Sequence, residues 1–331
     1  MLNNRLVLVL GGAGYVGSVL TQLLLSRNFH VRVLDTFWYG ENYLLQLSNS
    51  KNLEIVKADI RDIDSVNHAL RNVTDVIHLA CISNDPSFDL NPKLGKSINL
   101  DAFEPLVQSA RNAGVRRFIY ASSSSVYGVK EEERVTEELS LDPLTDYSKF
   151  KAICEEILFK YQSNDFLCTV LRPATICGWS PRQRFDLSVN ILTNHAINYG
   201  RIKVFGGSQY RPNIHIEDMS EAYLLALNSP PQLINGKIFN VGADNLSLDQ
   251  IASKVSEYTG VTNIVHEPTL DLRSYRIDSR KICEELGFEF QRNVSKAISD
   301  LVDAFRMNAF TSSLTNSLYF NIERMKELDV H

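Results

Sequence analysis

Residues 5–25, RLVLVLGGAGYVGSVLTQLLL, join an apolar run to three spaced glycines and a helical pattern. Residues 5–10 lack polar alternation, which is typical of a parallel strand covered on both faces. Gly11, Gly14 and Gly17 follow in the spacing G-x-x-G-x-x-G, where glycine lets the chain turn sharply and lets a ligand approach the backbone. A helix starting there presents free N–H groups and a partial positive charge. The stretch therefore predicts a strand, a turn and a helix that bind a pyrophosphate.

The next apolar segment, HVRVLD at residues 30–35, predicts a second strand that ends in Asp35. An acidic residue at about this distance from the glycines holds the ribose of a bound dinucleotide. A carboxylate there repels a 2′-phosphate, and the following TFWYG has no arginine to accept one. These residues predict NAD rather than NADP as the cofactor.

Strand and helix patterns continue to alternate along the chain. Strands are predicted at 53–59, 75–80, 116–122 and 166–173, with helices at 65–70, 92–113 and 144–163. Such alternation predicts an α/β fold with a doubly wound parallel sheet and helices on both faces. Ligands of these sheets bind beyond the carboxyl ends of the strands. Candidates to line the cofactor cleft are therefore Asp59, Leu79, Ala80, Cys81, Ser122–Ser125 and Pro173.

The helix in TDYSKFKAICEEI, residues 145–157, carries Tyr147 and Lys151 four positions apart and therefore on one face. Because this helix follows the fifth strand, its first turns should pass the nicotinamide end of the cofactor. A nearby ammonium lowers the phenol pKa from about 10 by roughly one to three units, and an oxidised nicotinamide adds another positive charge. We predict that Tyr147 is a general base. Tyr199 and Lys203 have the same spacing, but a glycine lies between them and they should not share a helix face.

Four serines end the fifth strand in YASSSSVYG, residues 120–128. A hydroxyl at that point could hydrogen-bond both a substrate oxygen and Tyr147, which would help proton transfer. The pattern of the four serines does not by itself choose among them.

Composition narrows the function classes. The chain has 331 residues, 44% of them hydrophobic and 22% charged, with a net charge of −5 and no Lys/Arg-rich run. This length favours two domains or one large domain with a lobe, and the charge gives no support for a nucleic-acid partner. Five scattered cysteines without a C-x-x-C pair indicate reduced thiols rather than a disulfide framework or a metal site. No apolar run is long enough for a membrane span and no export signal is visible, so we expect a cytoplasmic protein without a membrane partner.

Taken together, the motifs resemble the extended short-chain dehydrogenase/reductase family, in particular its NAD-dependent nucleotide-sugar epimerases and dehydratases. The matching segments are GGAGYVGS, Asp35, ADIRD, HLA, Asn99, SSSSVYG, YSKFK, LRPATICG and RPNIHIEDM, in the family's order over most of the chain. The resemblance implies a Rossmann domain at residues 1–173. A smaller C-terminal α/β lobe with a helical tail, residues 174–331, would bind a nucleoside diphosphate sugar. It also allows a strand near 213–216 to return to the first domain, and it implies a homodimer.

By this resemblance, Tyr147 removes a proton from a sugar hydroxyl, commonly at C4, while NAD takes the hydride. Lys151 binds the nicotinamide ribose, and the catalytic hydroxyl falls on Ser123. The cofactor-binding residues implied or inferred are Gly11, Gly14, Tyr15, Val16, Gly17, Asp35, Asp59, Ile60, Leu79, Ala80, Cys81, Asn99, Lys151 and Pro173. The substrate-binding candidates are Ser124, Thr175, Arg182, Arg184, Asn190, Arg211 and Arg273, since arginine pairs bidentately with phosphate. No metal is expected.

One departure from the family pattern bears on the reaction. In the 4,6-dehydratase branch an acidic pair follows the catalytic hydroxyl, whereas this chain has Ser124 and Ser125. Serines cannot replace that acid and base, so 4-epimerisation is the leading prediction and dehydration is disfavoured. The segment SPRQRFDLSVN, residues 180–190, also resembles nucleotide-sugar 4-dehydrogenases, including a GDP-heptose 4-dehydrogenase that releases a 4-keto sugar. A non-catalytic NAD-binding sensor is a further alternative, although this chain keeps both the tyrosine and the lysine.

Overall fold

The computed structural model describes residues 5–40, 42–47, 49–269 and 274–330. The strands of this part of the chain are β1 (Leu6–Leu10), β2 (His30–Asp35), β3 (Leu53–Lys57), β4 (Asp75–His78), β5 (Arg117–Ala121), β6 (Leu167–Pro173), β7 (Thr175–Cys177), β8 (Ile202–Phe205), β9 (Tyr210–His215), β10 (Lys237–Val241), β11 (Asp244–Ser247) and β12 (Ile264–Glu267).

The helices are α1 (Tyr15–Ser26), α2 (Asn42–Leu45), α3 (Ile63–Ala69), α4 (Asp85–Leu90), α5 (Pro92–Lys96), α6 (Phe103–Asn112), α7 (Asp146–Lys160), α8 (Ser188–Tyr199), α9 (Ile216–Asn228), α10 (Pro231–Ile234), α11 (Leu248–Thr259), α12 (Arg280–Leu286), α13 (Val294–Arg306) and α14 (Asn321–Glu327). A π-helical turn lies at Ser97–Asp101, and 3₁₀ turns lie at Ser124–Tyr127 and Ser317–Tyr319.

Seven strands form one parallel sheet in the order β10-β6-β5-β4-β1-β2-β3. The strand order changes direction between β1 and β4, which is the point where ligands bind in doubly wound sheets. Hydrophobic clusters cover both faces of the sheet, as the uninterrupted apolar strands require. The predicted Rossmann-type α/β fold is confirmed.

The C-terminal half adds a smaller α/β unit. Strands β11, β9 and β7 form a three-stranded sheet, and β12 pairs with β8. Helices α8, α11 and α13 pack together around a third hydrophobic cluster. This unit borders the carboxyl ends of the large sheet and forms the second wall of the cleft described below.

The chain crosses between the two units more than once. We expected the strand near 213–216 to return to the first domain, but β9 pairs with β7 and β11 in the small sheet, so this expectation was wrong. The returning strand is β10, which pairs with β6, and α9 packs against α1. The division of the chain into two domains between residues 173 and 174 stays a prediction. In the structure, β10 joins the large sheet and α9 packs beside it.

The helix predicted at 92–113 is interrupted. It consists of α5, the π-helical turn at Ser97–Asp101 and α6. Turns of this kind frequently mark functional sites. Within the described residues, no helix combines the length and the apolar character needed to cross a membrane.

Candidate active site

A cleft of about 560 Å³ lies at the carboxyl ends of the parallel strands, between the large sheet and the smaller unit. Twenty of the predicted site residues line it: Gly11, Gly14, Tyr15, Val16, Gly17, Asp35, Asp59, Ile60, Leu79, Ala80, Cys81, Ser123, Ser124, Tyr147, Lys151, Pro173, Thr175, Arg182, Arg184 and Arg211. Asn99 and Asn190 are outside this lining, and Arg273 lies outside the described residues.

The glycine turn holds the first helix close to the sheet while leaving its end open. Gly11 has φ +81°, and a Cβ there would lie 2.7 Å from the backbone nitrogen of Ala80. A Cβ on Gly17 would lie 2.1 Å from the Gly11 carbonyl oxygen, so the packing of α1 against the turn requires glycine. Gly14 caps α1 without a side-chain bond to its N–H groups. The helix therefore presents free N–H donors to a pyrophosphate, as the spacing predicts.

Asp35 is placed at the end of β2, where a ribose would lie. Its Oδ2 accepts a hydrogen bond from the Ala13 amide at 2.9 Å and its Oδ1 accepts one from the Phe37 amide at 2.8 Å. Burial raises the pKa of Asp35, and these amides oppose the rise. Each carboxylate oxygen retains a lone pair for a ribose hydroxyl. The turn and Asp35 together fit the pyrophosphate and ribose of a dinucleotide.

Tyr147 lies in the first turn of α7, whose start is defined by a capping box between Thr145 and Ser148. The Ser123 hydroxyl lies near its phenol and favours the ionised form of the phenol. The Nζ of Lys151 lies 5.9 Å from the centroid of the Tyr147 ring and donates a hydrogen bond to the Ala121 carbonyl oxygen at 2.6 Å. The structure thus brings the predicted tyrosine, lysine and serine to one place in the cleft.

The lowered pKa expected for Tyr147 beside Lys151 and an oxidised nicotinamide stays a prediction, because the protein chain by itself gives the opposite direction. Burial raises the pKa of Tyr147 well above its ordinary value, and the charge of Arg184 and the Ser123 hydroxyl only oppose this rise. Desolvation disfavours the phenolate more than these neighbours favour it. The chain alone therefore keeps the phenol protonated at neutral pH.

The row of serines is resolved by its partners. Ser122 bonds Glu155, and the Ser124 hydroxyl lies 3.2 Å from the Tyr275 hydroxyl. The Ser125 hydroxyl lies 2.9 Å from that of Ser123. Of the four, the hydroxyl that influences the pKa of Tyr147 is that of Ser123.

Two predicted residues support the cleft from behind. Asn99 accepts from the Ile82 amide at 2.8 Å and donates to the Ile82 carbonyl at 2.9 Å, so it holds the loop after β4. Asn190 is fully buried and bonds Gly178, Arg184 and the Tyr15 hydroxyl. With their hydrogen-bonding groups engaged inside the protein, both residues position the lining.

Several lining residues were missed by the sequence argument. They include Tyr39, Ser83, Asp186, Tyr275 and Asn321. Asp186 forms a two-point ion pair with Arg184, at 2.8 and 3.1 Å, and its position two residues after that arginine could have signalled the pair. Asn321 has no local signal, because it reaches the cleft from the far end of the chain.

Arg211 lies in a different part of the cleft. Its Nη1 donates to the Tyr210 carbonyl oxygen at 3.1 Å, and its neighbours in the lining include Phe205 and Gln209 of the smaller unit. Arg184 instead influences the pKa values of Tyr15 and Tyr147 and therefore lies close to the centre of the cleft. These contacts place Arg184 near Tyr15 and Tyr147, and Arg211 on strand β9 of the smaller unit.

Comparison with known proteins agrees with this arrangement. The model of the NAD-dependent epimerase/dehydratase family matches residues 7–242, and the chain belongs to this family. It is 33% identical over 313 residues to a UDP-glucose 4-epimerase of Mycolicibacterium smegmatis, covering 90% of this chain and 98% of that protein. It is also 26% identical to a probable dTDP-glucose 4,6-dehydratase of Sinorhizobium fredii, covering 98% and 99% of the two chains.

A solved structure extends the comparison to the cofactor. The UDP-glucose 4-epimerase of Thermus thermophilus, in complex with NAD, has a TM-score of 0.81 and 27% identity and covers 91% of this chain and 99% of its own. The chain is an NAD-dependent enzyme of the nucleotide-sugar epimerase/dehydratase class, and the predicted cofactor is confirmed.

Proposed function

We propose that this enzyme is a 4-epimerase of a nucleoside diphosphate sugar. The observation that carries the proposal is that Tyr147, Ser123 and Lys151 meet in one cleft at the change of strand order. Similarity to UDP-glucose 4-epimerases over most of the chain supports it.

Each residue of this group has a distinct task. When bound, NAD accepts a hydride from the sugar and returns it. Tyr147 takes the proton of the C4 hydroxyl, and Ser123 bonds the same oxygen so that the proton moves along a short path. Lys151 stabilises the phenolate that forms. After the keto sugar rotates, the hydride would return to the opposite face of C4 and Tyr147 would return its proton to the C4 oxygen, which completes the inversion.

The side chains at positions 124 and 125 support epimerisation over dehydration. Removal of water across C5 and C6 needs an acid and a base, and these two positions hold serines whose hydroxyls face Tyr275 and Ser123. Asp85 is a carboxylate in the lining, and it accepts a hydrogen bond from Thr145 at 2.5 Å. That bond holds Asp85 at the start of α7, as a structural partner.

Product analysis separates the possible reactions. With a nucleotide sugar as substrate, an epimerase forms the C4 epimer at constant NADH absorbance. A 4-dehydrogenase accumulates NADH and a 4-keto sugar, or needs an added oxidant. A dehydratase forms a product lighter by one water in mass spectrometry. Either of the last two results would refute the proposed reaction.

A Tyr147→Phe variant separates an enzyme from a sensor. We expect it to retain NAD and to lose turnover by roughly 10²- to 10⁴-fold, the usual contribution of proton transfer. Tyr161→Phe is the matched control, because this tyrosine lies just past the end of α7 and bonds Glu104 in an exposed position. Unchanged turnover in Tyr147→Phe would remove the basis of the assignment.

The nucleotide is best identified by binding. A thermal-shift screen of UDP-, GDP-, CDP- and dTDP-sugars on the NAD-loaded enzyme would rank them, because a ligand that binds only the folded state raises its stability. The similarity to UDP-glucose 4-epimerases favours a UDP-sugar as the ligand. The resemblance of residues 180–190 to a GDP-heptose 4-dehydrogenase makes a GDP-sugar the main alternative to compare with it in the screen.

We also propose that two copies pair through α6 and α7, the helices beside β5. Ile153 on α7 is 39% exposed, although it is a large apolar side chain. Burial of this face in a dimer would remove it from water. Light scattering during size-exclusion chromatography should give twice the chain mass, and Ile153→Asp should shift the enzyme toward the monomer.

A further inference from the structure

The segment from Gly178 to Asn190 is fastened to the first turn of α1. The Tyr15 hydroxyl donates to the Gly178 carbonyl oxygen at 2.6 Å, and the Ser180 hydroxyl donates to the Tyr15 carbonyl oxygen at 2.7 Å. Asn190 donates to the Tyr15 hydroxyl at 3.0 Å. Arg182, between these attachments, is therefore held next to the helix end that offers N–H groups to a pyrophosphate.

In the part of the chain that the structure describes, Arg182 is a buried cation without a carboxylate at ion-pair distance. Only 4% of its surface is exposed, and among the described residues no acidic side chain lies within ion-pair distance of its guanidinium. Its Nη2 donates to the Asn321 Oδ1 at 2.7 Å, its guanidinium carbon lies 4.0 Å from the Tyr39 ring centroid, and its Nε has no hydrogen-bond partner. Buried charges are ordinarily paired, so this arrangement leaves room for an anion.

The neighbouring Arg184 shows the difference. It is equally buried in the same cleft, but Asp186 pairs with it at two points. The pKa values follow this contrast: Asp186 raises the pKa of Arg184, whereas burial and the charge of Arg184 lower the pKa of Arg182 to about 10. Of the two cations, Arg182 is the one that an incoming anion would neutralise.

The surroundings of Arg182 indicate which anion this is. Its charge lowers the pKa of Asp35, the residue at the ribose position, and its ring contact is with Tyr39 in the loop that follows β2. Arg182 therefore lies near both the acid at the end of β2 and Tyr15, the first residue of α1. In a dinucleotide bound there, the group between the adenosine ribose and the helix end is a phosphate.

We propose that Arg182 binds the adenosine-side phosphate of NAD, and that Asn321 of the C-terminal segment holds its guanidinium in place. Arg182, which the sequence predicted to bind the substrate, is thereby assigned to the cofactor. Asn321 also donates to Ser83 at 3.1 Å and accepts through Oδ1 only from Arg182 among the described contacts. Since the family model ends at residue 242, this support comes from a part of the chain that the family model does not match.

The test is the affinity of cofactor fragments for Arg182→Gln. Calorimetric titration of the full chain with NAD, AMP and adenosine should show roughly 10- to 100-fold weaker binding of NAD and AMP, as expected for a hydrogen bond to a charged group. Adenosine binding should be unchanged. The thermal midpoint without added ligand should stay the same or rise, because the substitution removes an unpaired buried charge. Arg182→Lys should restore part of the AMP affinity.

Two variants act as controls. Arg5 pairs with Asp75 and precedes β1, so it lies at the amino ends of the strands, away from the cleft. Arg5→Gln should leave binding of NAD and AMP unchanged. Asn321→Ala should weaken NAD binding several-fold. Combined with Arg182→Gln it should cause less than the sum of the two losses, because both act through one contact.

Three results would overturn the proposal. One is an equal loss of adenosine and AMP affinity in Arg182→Gln. Another is a lower melting midpoint with unchanged AMP affinity, which would make Arg182 a structural residue. The third is unchanged NAD and AMP affinity with weaker binding of a nucleotide sugar, which would return Arg182 to the substrate.

Discussion

Replacement of Lys151 by methionine isolates the effect of one charge on the general base. The Nζ of Lys151 lies 5.9 Å from the Tyr147 ring centroid. At an effective dielectric constant of about 20, an ammonium and a phenolate at this separation attract each other by about 3 kcal/mol, equivalent to about two pKa units. Loss of the ammonium removes this attraction and raises the pKa of Tyr147.

The sign of the effect determines the pH profile. Because the unprotonated phenol is the active form, the acidic limb of kcat should move to higher pH by about two units in Lys151→Met. At a fixed pH on that limb, kcat should fall about 100-fold, and part of the loss should be recovered as the pH rises. The assay is kcat against pH with saturating substrate and NAD, with the bound NAD quantified for each variant.

Lys149→Met is the matched control, since Lys149 lies on the same helix, is exposed and pairs with Asp146 at 3.3 Å. Its pH profile should equal that of the wild type. If Lys151→Met lowers kcat by the same factor at every pH and leaves the limb in place, Lys151 does not tune Tyr147. The electrostatic argument would then be refuted.

The remaining predictions concern the scaffold. Gly17→Ala places a Cβ 2.1 Å from a backbone oxygen of the glycine turn and should lower the free energy of unfolding in urea by about 3 kcal/mol or more. In Gly14→Ala the nearest contact is at 3.2 Å, so the loss should be less than about 1 kcal/mol. Equal losses in the two variants would contradict the packing argument. Arg172→Met leaves the buried carboxylate of Glu155 without its ion-pair partner at 2.6 Å and should lower the free energy of unfolding by about 3–5 kcal/mol. The double variant Arg172→Met/Glu155→Leu should recover stability. If it does not, the unpaired charge is not the cause of the loss. Burial lowers the pKa of His78 to about 3, whereas its pKa in the unfolded chain is about 6.5. The contribution of His78 to stability is therefore complete above about pH 6.5 and declines as the pH falls toward 3. His78→Phe should flatten this decline in thermal unfolding, and an identical pH dependence would count against the argument.

Local patterns were sufficient for the cofactor half of the molecule. The apolar run of β1, the glycine spacing and Asp35 are patterns of a few neighbouring residues. Each of them indicates a definite feature of a parallel sheet. The same holds for Tyr147 and Lys151, since helical periodicity alone places them on one face and the strand order places that face in the cleft. The lining of the cleft confirms their location.

The amino-acid sequence by itself therefore predicted most of the strands and helices of the first 173 residues, the glycine turn and the pair on α7. The tertiary structure decided which distant segments meet: β10 rather than β9 completes the large sheet, and Asn321 reaches Arg182 across 139 positions of the chain. It also assigned Asn99 and Asn190 to supporting contacts and raised the pKa of Tyr147 by burial. The physical reason is that strand pairing, desolvation and side-chain partners depend on neighbours in space, whereas periodicity and turn chemistry depend on neighbours in the chain.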